Sequence, residues 1–223
     1  MSRISAALTD RIGTRFEAEV IGPRRRELLA DVRGTVLEIG AGTGANLAHY
    51  PSEVELVLTE PDPHMRRRLR RREELAERSS ETFGAPAEDL PVADASVDVV
   101  VTTFVLCSVD DPAAAIAEIR RVLRPQGRLL FLEHVRSEDG ATARWQDRLT
   151  PVTRRLGGGC HVNRDTVASV RAAGFRVDTV ATYLPANRLE GLQPTVSGRA
   201  TVDEEPAQQA HGVMAGDAGV VSS

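Results

Sequence analysis

Short apolar runs separated by polar, helix-like stretches dominate the chain between residues 35 and 135. The runs are TVLEIG (35–40), VELVLTE (54–60), VDVVVTTFVL (97–106) and RLLFLEHV (128–135). Each run is apolar on both faces, and a helical stretch follows it. This pattern predicts an α/β fold in which parallel strands are covered by helices on both sides.

The ends of several elements can also be read from the sequence. Asp110 or Asp111 is expected to cap a helix over 112–123, which begins at Pro112 and ends before Pro125–Gly127. Further helices are predicted at about 141–156 and 165–173, and late strands at 175–184 and 194–202. A helical pattern over 3–30, interrupted at Gly22–Pro23, predicts an N-terminal helical cap at 1–30. The main domain is then 31–202.

Composition limits the classes of function. All 28 basic residues are arginine, so lysine Schiff-base chemistry is excluded. The last 21 residues, 203–223, carry four acids and no arginine, which accounts for the net charge of −4 and predicts a disordered acidic tail. The remainder is balanced and gives no global electrostatic reason to expect nucleic acid. With two cysteines and no apolar run of signal-peptide or transmembrane length, we expect a cytoplasmic protein.

A glycine-rich loop follows the first predicted strand. Gly40, Gly42 and Gly44 lie where a strand passes into a helix, and their missing side chains let the backbone approach a ligand closely. With Ala45, the same glycines match the GxGxxG/A pattern of dinucleotide sites. NAD binding is therefore one interpretation of the loop.

Acidic residues around the loop favour S-adenosylmethionine (SAM) over NAD. Glu38 stands two residues before the first glycine, where a SAM site has an acid near the ammonium of the methionine moiety. Glu60 ends the next strand, where a carboxylate can accept hydrogen bonds from the ribose hydroxyls of either cofactor. Ala87 and Glu88 precede Leu-Pro, an order found where SAM enzymes hold the adenine edge. Together these residues predict a SAM site.

The chain resembles class I SAM-dependent methyltransferases over roughly residues 30–185, within the group that includes the quinone-biosynthesis C-methyltransferases. It is most similar to the membrane-associated thiol S-methyltransferases in GTGANLAHYP (42–51), FVLCSVDDP (104–112), VLRPQGRLLFLEHV (122–135) and GCHVNRDT (159–166). Their hydrophobic N-terminal membrane segment has no match here, so at most a peripheral membrane contact is expected. The resemblance implies a Rossmann-like fold with a mostly parallel, seven-stranded sheet and helices on both faces.

The resemblance also implies the residues of the site. Those expected to bind SAM are Glu38, Gly40, Gly42, Gly44, Asn46, Glu60, Pro61, Ala87, Glu88 and Thr103. Cys107 and Ser108 are expected near the substrate, and His134 and His161 are the candidate catalytic residues because they lie at a strand end and on a loop that could cover the opening of the cleft. A metal site of His134, Cys160 and His161 would need a contact that the sequence does not show, so no metal is predicted.

The implied reaction is in-line methyl transfer from SAM to a small-molecule acceptor. The resemblance of FVLCSVDDP and GCHVNRDT to thiol S-methyltransferases implies a thiol acceptor. A thiol, with a pKa of about 8.5, is partly ionised near neutral pH and needs little catalytic help. The alternatives are a phenol or quinone O- or C-methyltransferase, a non-catalytic SAM- or SAH-binding protein, and an RNA or protein methyltransferase. The last would use the arginines of 66–72, but the acids at 73, 74 and 77 favour a solvated helix face and no nucleic-acid partner. The sequence makes no prediction of the oligomeric state.

Overall fold

The structure is a computed structural model, and it describes residues 21–78, 80–183 and 194–202. The helices are α1 (Gly22–Leu29), α2 (Pro63–Leu75), α3 (Pro112–Val122), α4 (Gly140–Leu156) and α5 (Thr166–Ala172). The strands are β1 (Thr35–Ile39), β2 (Glu55–Thr59), β3 (Glu81–Phe83), β4 (Val97–Thr103), β5 (Leu123–His134), β6 (Phe175–Tyr183) and β7 (Thr195–Val202). A short 3₁₀ helix spans Leu47–His49. The first part of the predicted cap, 1–20, and the predicted tail, 203–223, lie outside the described residues.

The described strands form one seven-stranded sheet in the order β3-β2-β1-β4-β5-β7-β6. The pairs from β3 to β5 are parallel, whereas β7 runs antiparallel to both β5 and β6. The chain moves outward from β1 through β2 to β3, and then returns to place β4 on the other side of β1. Such a reversal opens a crevice at the carboxyl ends of the strands. The predicted fold class is confirmed, and the crevice is where the predicted site residues should meet.

The core lies on both faces of the sheet, as the apolar runs predicted. Leu37 and Phe131 belong to the cluster that packs against α3 and α5, whereas their neighbours Val36 and Leu130 belong to the cluster that packs against α1 and α2. Successive side chains of a strand point to opposite faces. Both sets are fully buried, which explains why these positions are apolar on both faces of the sheet.

The predicted start of the helix at Pro112 is also confirmed. The Asp111 side chain accepts hydrogen bonds from the backbone amides of residues 113 and 114, and Pro112 occupies the first helical position. Asp62, Asp139 and Asp165 cap α2, α4 and α5 in the same way. An aspartate at the N-cap satisfies backbone amides that would otherwise have no partner, so these helices begin where the sequence places their caps.

Two strand predictions needed correction, and one strand was missed. The run 97–106 is too long, because β4 ends at Thr103 and the chain turns at Phe104, whose φ is 59°. β5 begins at Leu123, directly after α3, so the predicted turn at 125–127 lies within it and Gln126 has a φ of 67°. β3 was not predicted, since ETF is only three residues long and carries no apolar run.

We predict that Gly198→Ala destabilises the fold. Gly198 of β7 pairs with Phe131 of β5, and an added Cβ would lie 2.2 Å from the Cζ atom of that ring. Because the ring is fully buried and cannot move aside freely, we expect a loss of ~1–3 kcal/mol in the free energy of unfolding. Chemical denaturation followed by circular dichroism measures it.

The matched control is Gly140→Ala at the start of α4, where the nearest atom to an added Cβ is 3.7 Å away. Its stability should change by less than about 0.5 kcal/mol. Equal effects of the two substitutions would show that the contact with Phe131 does not decide the choice of glycine.

Candidate active site

A buried carboxylate at the end of β1 is the centre of the predicted cofactor side. Glu38 is 1% exposed and accepts hydrogen bonds from Asn46 Nδ2 and from the Tyr50 hydroxyl, both at 2.9 Å. The Asn46 amide also donates to Thr103 Oγ1 at 3.1 Å and its oxygen accepts from Arg25 Nη1 at 2.7 Å. The structure thus brings the predicted residues Glu38, Asn46 and Thr103 together, and adds Arg25 and Tyr50, which were not predicted.

Burial changes the acidity of this carboxylate. Desolvation raises the pKa of Glu38 to about 7, against the opposing effects of the hydrogen bonds from Tyr50 and Asn46 and of the charge of Arg25. Near neutral pH the group is therefore balanced between its neutral and charged forms. A ligand cation placed beside it would favour the carboxylate, which is the chemistry that the ammonium of SAM would use.

The predicted glycines fall in the left-handed region, with φ of 63° at Gly40, 59° at Gly42 and 85° at Gly44. A Cβ at Gly40 would lie 2.6 Å from Val105, and one at Gly44 would meet Leu47 at 2.7 Å. At Gly42 the nearest atom would be 3.9 Å away. Close packing thus requires glycine at the first and third positions, whereas at Gly42 there is space beside the backbone for a ligand.

Glu60, at the end of β2, is joined to the glycine loop. Its Oε2 accepts a hydrogen bond from the Gly42 amide at 2.9 Å, and its Oε1 accepts one from the Asp62 amide at 2.8 Å. The side chain is buried, and desolvation raises its pKa. Pro61 beside it is exposed. The loop and the predicted ribose-binding residue therefore form one unit across β1 and β2.

The predicted adenine region lies against the start of α3. Ala87 is buried, and Glu88 Oε1 accepts hydrogen bonds from the backbone amides of Asp110 and Asp111 at 3.1 and 3.2 Å. This contact gives Glu88 a structural role that the sequence did not suggest. Its role at the adenine edge stays a prediction.

In the region where the acceptor was predicted to bind, side chains from three separate segments meet. Cys107 follows β4, His134 ends β5, and Cys160 follows the glycines after α4. The two sulfurs lie 3.7 Å apart, and His134 Nδ1 lies 3.9 Å from Cys107 Sγ and 3.4 Å from Cys160 Sγ. Ser108 Oγ is 3.5 Å from the Cys107 sulfur. The predicted Cys107, Ser108 and His134 are therefore neighbours, and Cys160 joins them.

The two thiols differ in acidity. The contact between the two sulfurs lowers the pKa of Cys160. The same contact, together with burial, raises the pKa of Cys107 well above its usual value. Cys160 is therefore the first of the two to ionise.

His161 lies beside this group through its backbone. Its amide donates to the Cys107 carbonyl at 2.7 Å, while its Nδ1 is buried and has no hydrogen-bond partner among the described residues. Burial lowers the pKa of the ring, and the nearby charges of Arg164 and Arg154 lower it further. The imidazole is neutral at neutral pH, but it does not belong to the cluster of Cys107, His134 and Cys160.

Glu133 is a structural residue of the site that the sequence analysis missed. It is fully buried in β5, where its Oε1 accepts hydrogen bonds from the amides of Val105 and Leu106 and its Oε2 accepts one from the Cys107 amide, all at 3.1 Å. It thereby fixes the turn that carries Cys107. The available signal was an acid within the apolar run RLLFLEHV, because an unpaired buried carboxylate is costly.

The arginine run of 66–72 lies on α2, as predicted. Arg66, Arg67, Arg70 and Arg71 line a surface groove together with Glu74. Arg66 also donates to the carbonyls of Glu60 and Pro61, at 2.6 and 2.8 Å, so it supports the end of β2. This groove is separate from the cluster of Cys107, His134 and Cys160.

Comparison with known proteins decides the family. Residues 37–131 match the model of a methyltransferase domain. The chain is 34% identical to thiol S-methyltransferase TMT1B of Homo sapiens over 211 residues, covering 88% of this chain and 84% of that protein. The chain belongs to the SAM-dependent methyltransferase family that includes these thiol S-methyltransferases.

Solved structures agree on the fold of this methyltransferase. The YcgJ protein of Bacillus subtilis superposes with a TM-score of 0.66 at 17% identity, over 83% of this chain and 98% of that one. A geranyl diphosphate methyltransferase in complex with SAM superposes with a TM-score of 0.64 at 13% identity, over 81% and 83% of the two chains. The cofactor is SAM, so the NAD interpretation of the glycine loop is set aside.

The described part of the methyltransferase was also searched for membrane spans. None of its helices combines the length and the apolar character needed to cross a bilayer.

We predict that SAM affinity depends on pH through Glu38. Since the pKa of the free site is raised to about 7, the carboxyl must lose its proton to face the ammonium. Affinity should then weaken as the pH falls below about 7, by up to about tenfold per pH unit, and level off above it. Titration calorimetry across this range is the measurement.

The control is Glu38→Gln, which keeps the shape but cannot ionise. It should bind SAM more weakly and with no pH dependence of this kind. A flat affinity of the unmodified protein through about pH 7 would remove Glu38 from contact with the ammonium.

Proposed function

We propose that this methyltransferase transfers the methyl group of SAM to the sulfur of a small-molecule thiol. The observation that carries the proposal is the extent of the likeness to thiol S-methyltransferases. It covers 88% of the chain, whereas the general methyltransferase domain accounts only for residues 37–131. The likeness therefore extends beyond residues 37–131 and includes segments that we propose to lie near the acceptor.

The cofactor would be held along the carboxyl ends of β1, β2 and β4. Glu38, held by Asn46, faces the methionine ammonium, and Glu60 faces the ribose hydroxyls. The backbone of Gly42 has the space that a close ligand needs. The remaining predicted contacts come from Gly40, Gly44, Pro61, Ala87, Glu88 and Thr103.

The N-terminal segment would act as a cap on this site. Its described helix α1 carries Arg25, which is buried and donates to Asn46 at 2.7 Å. This contact supports a cap formed by 1–30 on the methyltransferase domain at 31–202. The acidic tail at 203–223 stays a prediction. A displacement of α1 would remove one of the hydrogen bonds that position Asn46 beside Glu38.

The acceptor would enter on the side of Cys107, Ser108 and His134. SAM supplies an activated methyl group, so the protein has mainly to align the acceptor sulfur with the breaking C–S bond and to exclude water. The neutral ring of His161 has an unpartnered Nδ1 within the described structure and can accept a proton there. His134 and His161 remain the candidate catalytic residues.

The proposed partner is a small-molecule acceptor, and the proposed location is the cytoplasm. Both proposals rest on the composition, with two cysteines and no apolar run of signal-peptide or transmembrane length. Glu74 lies in the arginine groove and lowers its attraction for nucleic acid. A peripheral membrane contact would have exposed apolar side chains available on α4, namely Trp145, Val152 and Leu156.

We predict that Glu60→Ala weakens SAM binding. The substitution removes the proposed ribose contact and the hydrogen bond to the Gly42 amide, so the loss should be ~1–3 kcal/mol by calorimetry. Glu55→Ala, at the exposed start of the same strand, is the control and should bind normally. An unchanged affinity of Glu60→Ala would remove this residue from the site.

We predict that thiols are the methylated acceptors. Labelled SAM would be offered with a panel of alkyl thiols, phenols and quinols, and methylated products would be identified by mass spectrometry. We expect turnover with the thiols. Turnover of a phenol or quinol while every thiol stays unmethylated would contradict the proposal and favour O- or C-methylation.

A further inference from the structure

The cluster of Cys107, His134 and Cys160 has the composition of a metal site. In the described residues it is the one group of three or more histidine, cysteine or acidic side chains whose ligand atoms lie close enough together to hold an ion, all within 4.8 Å of one another. Both cysteines are free and buried. Thiolate and imidazole are the ligands that zinc prefers in proteins.

The distances in the cluster match the ligand triangle of a tetrahedral zinc ion. Zinc–sulfur bonds of about 2.3 Å and zinc–nitrogen bonds of about 2.0 Å place two sulfurs roughly 3.8 Å apart and sulfur roughly 3.6 Å from nitrogen. The structure has 3.7 Å between the sulfurs, and 3.9 and 3.4 Å from them to His134 Nδ1. A disulfide would instead require the sulfurs to approach to about 2.05 Å.

The turn that carries Cys107 is fixed in place. Glu133 accepts a hydrogen bond from the Cys107 amide, and the Cys107 carbonyl accepts one from the His161 amide at 2.7 Å. Arg164 donates to the carbonyls of Leu106 and Val109 at 2.9 and 2.7 Å. Since ligand positions must be held to a few tenths of an ångström, these contacts favour a built site over a chance meeting of side chains.

The segment that carries Cys160 is fixed as well. The Cys160 carbonyl accepts a hydrogen bond from Thr153 Oγ1 at 2.8 Å. Gln146, which is fully buried in α4, donates hydrogen bonds to the carbonyls of Val135 and Val162. Gly159, with a φ of 94°, lets the loop approach β4, because a Cβ there would lie 2.8 Å from the Ser108 carbonyl oxygen.

The last ligand is held by an aromatic contact. The ring of Phe104 packs against that of His134 with 4.5 Å between centroids. Phe104 directly follows Thr103, and the Asn46 amide donates hydrogen bonds to both Thr103 and Glu38. The cluster therefore adjoins the cofactor side at the same edge of the sheet.

We propose that Cys107, His134 and Cys160 bind one zinc ion whose fourth coordination position takes the sulfur of the acceptor thiol. Three protein ligands with an open position are typical of catalytic zinc, whereas structural zinc has four. The metal site stands on the geometry alone. Its use for the acceptor rests on the proposed thiol methylation. It also gives His134 the role of a ligand through Nδ1 instead of that of a base.

Methyl transfer at such a site needs no oxidant or reductant. The acceptor thiol releases its proton to solvent when its sulfur binds the zinc, which lowers the pKa of a bound thiol. A lone pair of that sulfur then forms the new S–CH₃ bond. The bond between the methyl carbon and the SAM sulfonium breaks, and its electron pair stays on the sulfur of S-adenosylhomocysteine. The neutral thioether product binds zinc weakly and leaves.

Metal content tests the site directly. The full chain would be purified under reducing conditions, dialysed against buffered zinc and analysed by plasma mass spectrometry. We expect one zinc per chain. Cys107→Ser, Cys160→Ser and His134→Ala should each lower zinc affinity by more than about a hundredfold, beyond the usual effect of losing an outer-shell partner. His64→Ala, on α2, is the matched control and should keep its zinc.

Cobalt substitution gives a readout that does not depend on the variants folding. In the unmodified protein, cobalt(II) at this site should show thiolate-to-metal charge-transfer absorption and the visible spectrum of a tetrahedral ion. A chain that takes up no zinc, or cobalt without thiolate absorption, overturns the metal site. Variants that stay folded by circular dichroism and keep full zinc affinity overturn it equally.

The acceptor's role has its own measurement. Adding the thiol that turns over best should shift the cobalt spectrum, and stripping the metal should lower kcat/KM for that thiol at least about tenfold while leaving SAM affinity unchanged. Full thiol turnover by the metal-free chain overturns the catalytic part and leaves the proposed function intact. If only phenols turn over while one zinc is bound, the proposed function fails and the metal site stands.

Discussion

The buried carboxylate of Glu38 is the interaction on which the cofactor side of this methyltransferase depends. Through Asn46 and Tyr50 it is tied to the segment after the glycine loop, through Asn46 to Thr103 of β4, and through Asn46 again to Arg25 of α1. A carboxylate without these partners could not stay in a 1% exposed position. The same desolvation that makes the network necessary raises the pKa of Glu38, and a cation beside the group would favour its charged form.

Glu133 does for the turn after β4 what Glu38 does for the segment after the glycine loop. It is buried near the end of β5 and accepts hydrogen bonds from three backbone amides of the turn after β4, including that of Cys107. Both acids lie near the carboxyl ends of their strands and directly follow buried apolar residues, Leu37 and Leu132. The fold thus uses buried charge at two points to shape loops that its hydrophobic core could not position, because dispersion and hydrophobic burial are not directional.

Local patterns in the sequence account well for the scaffold. The apolar runs located β1 and β2, and Asp111 with Pro112 located the start of α3, because burial on both faces and N-capping are decided by the residues themselves. The end of β4 was misplaced, since the apolar letters continue through the turn at Phe104. Short β3 escaped detection, because its three residues form a strand only by pairing with β2.

The sequence by itself determined the α/β architecture, the SAM cofactor, and the acidic, cysteine and histidine side chains that follow or end the strands. Only the tertiary structure decided that Cys160 meets Cys107 and His134, that His161 stays outside this group, and that Arg25 reaches Asn46. These contacts join residues far apart in the chain, and no periodicity or spacing encodes them. They follow from which strands lie side by side and from how closely Gly159 lets its loop approach the turn after β4.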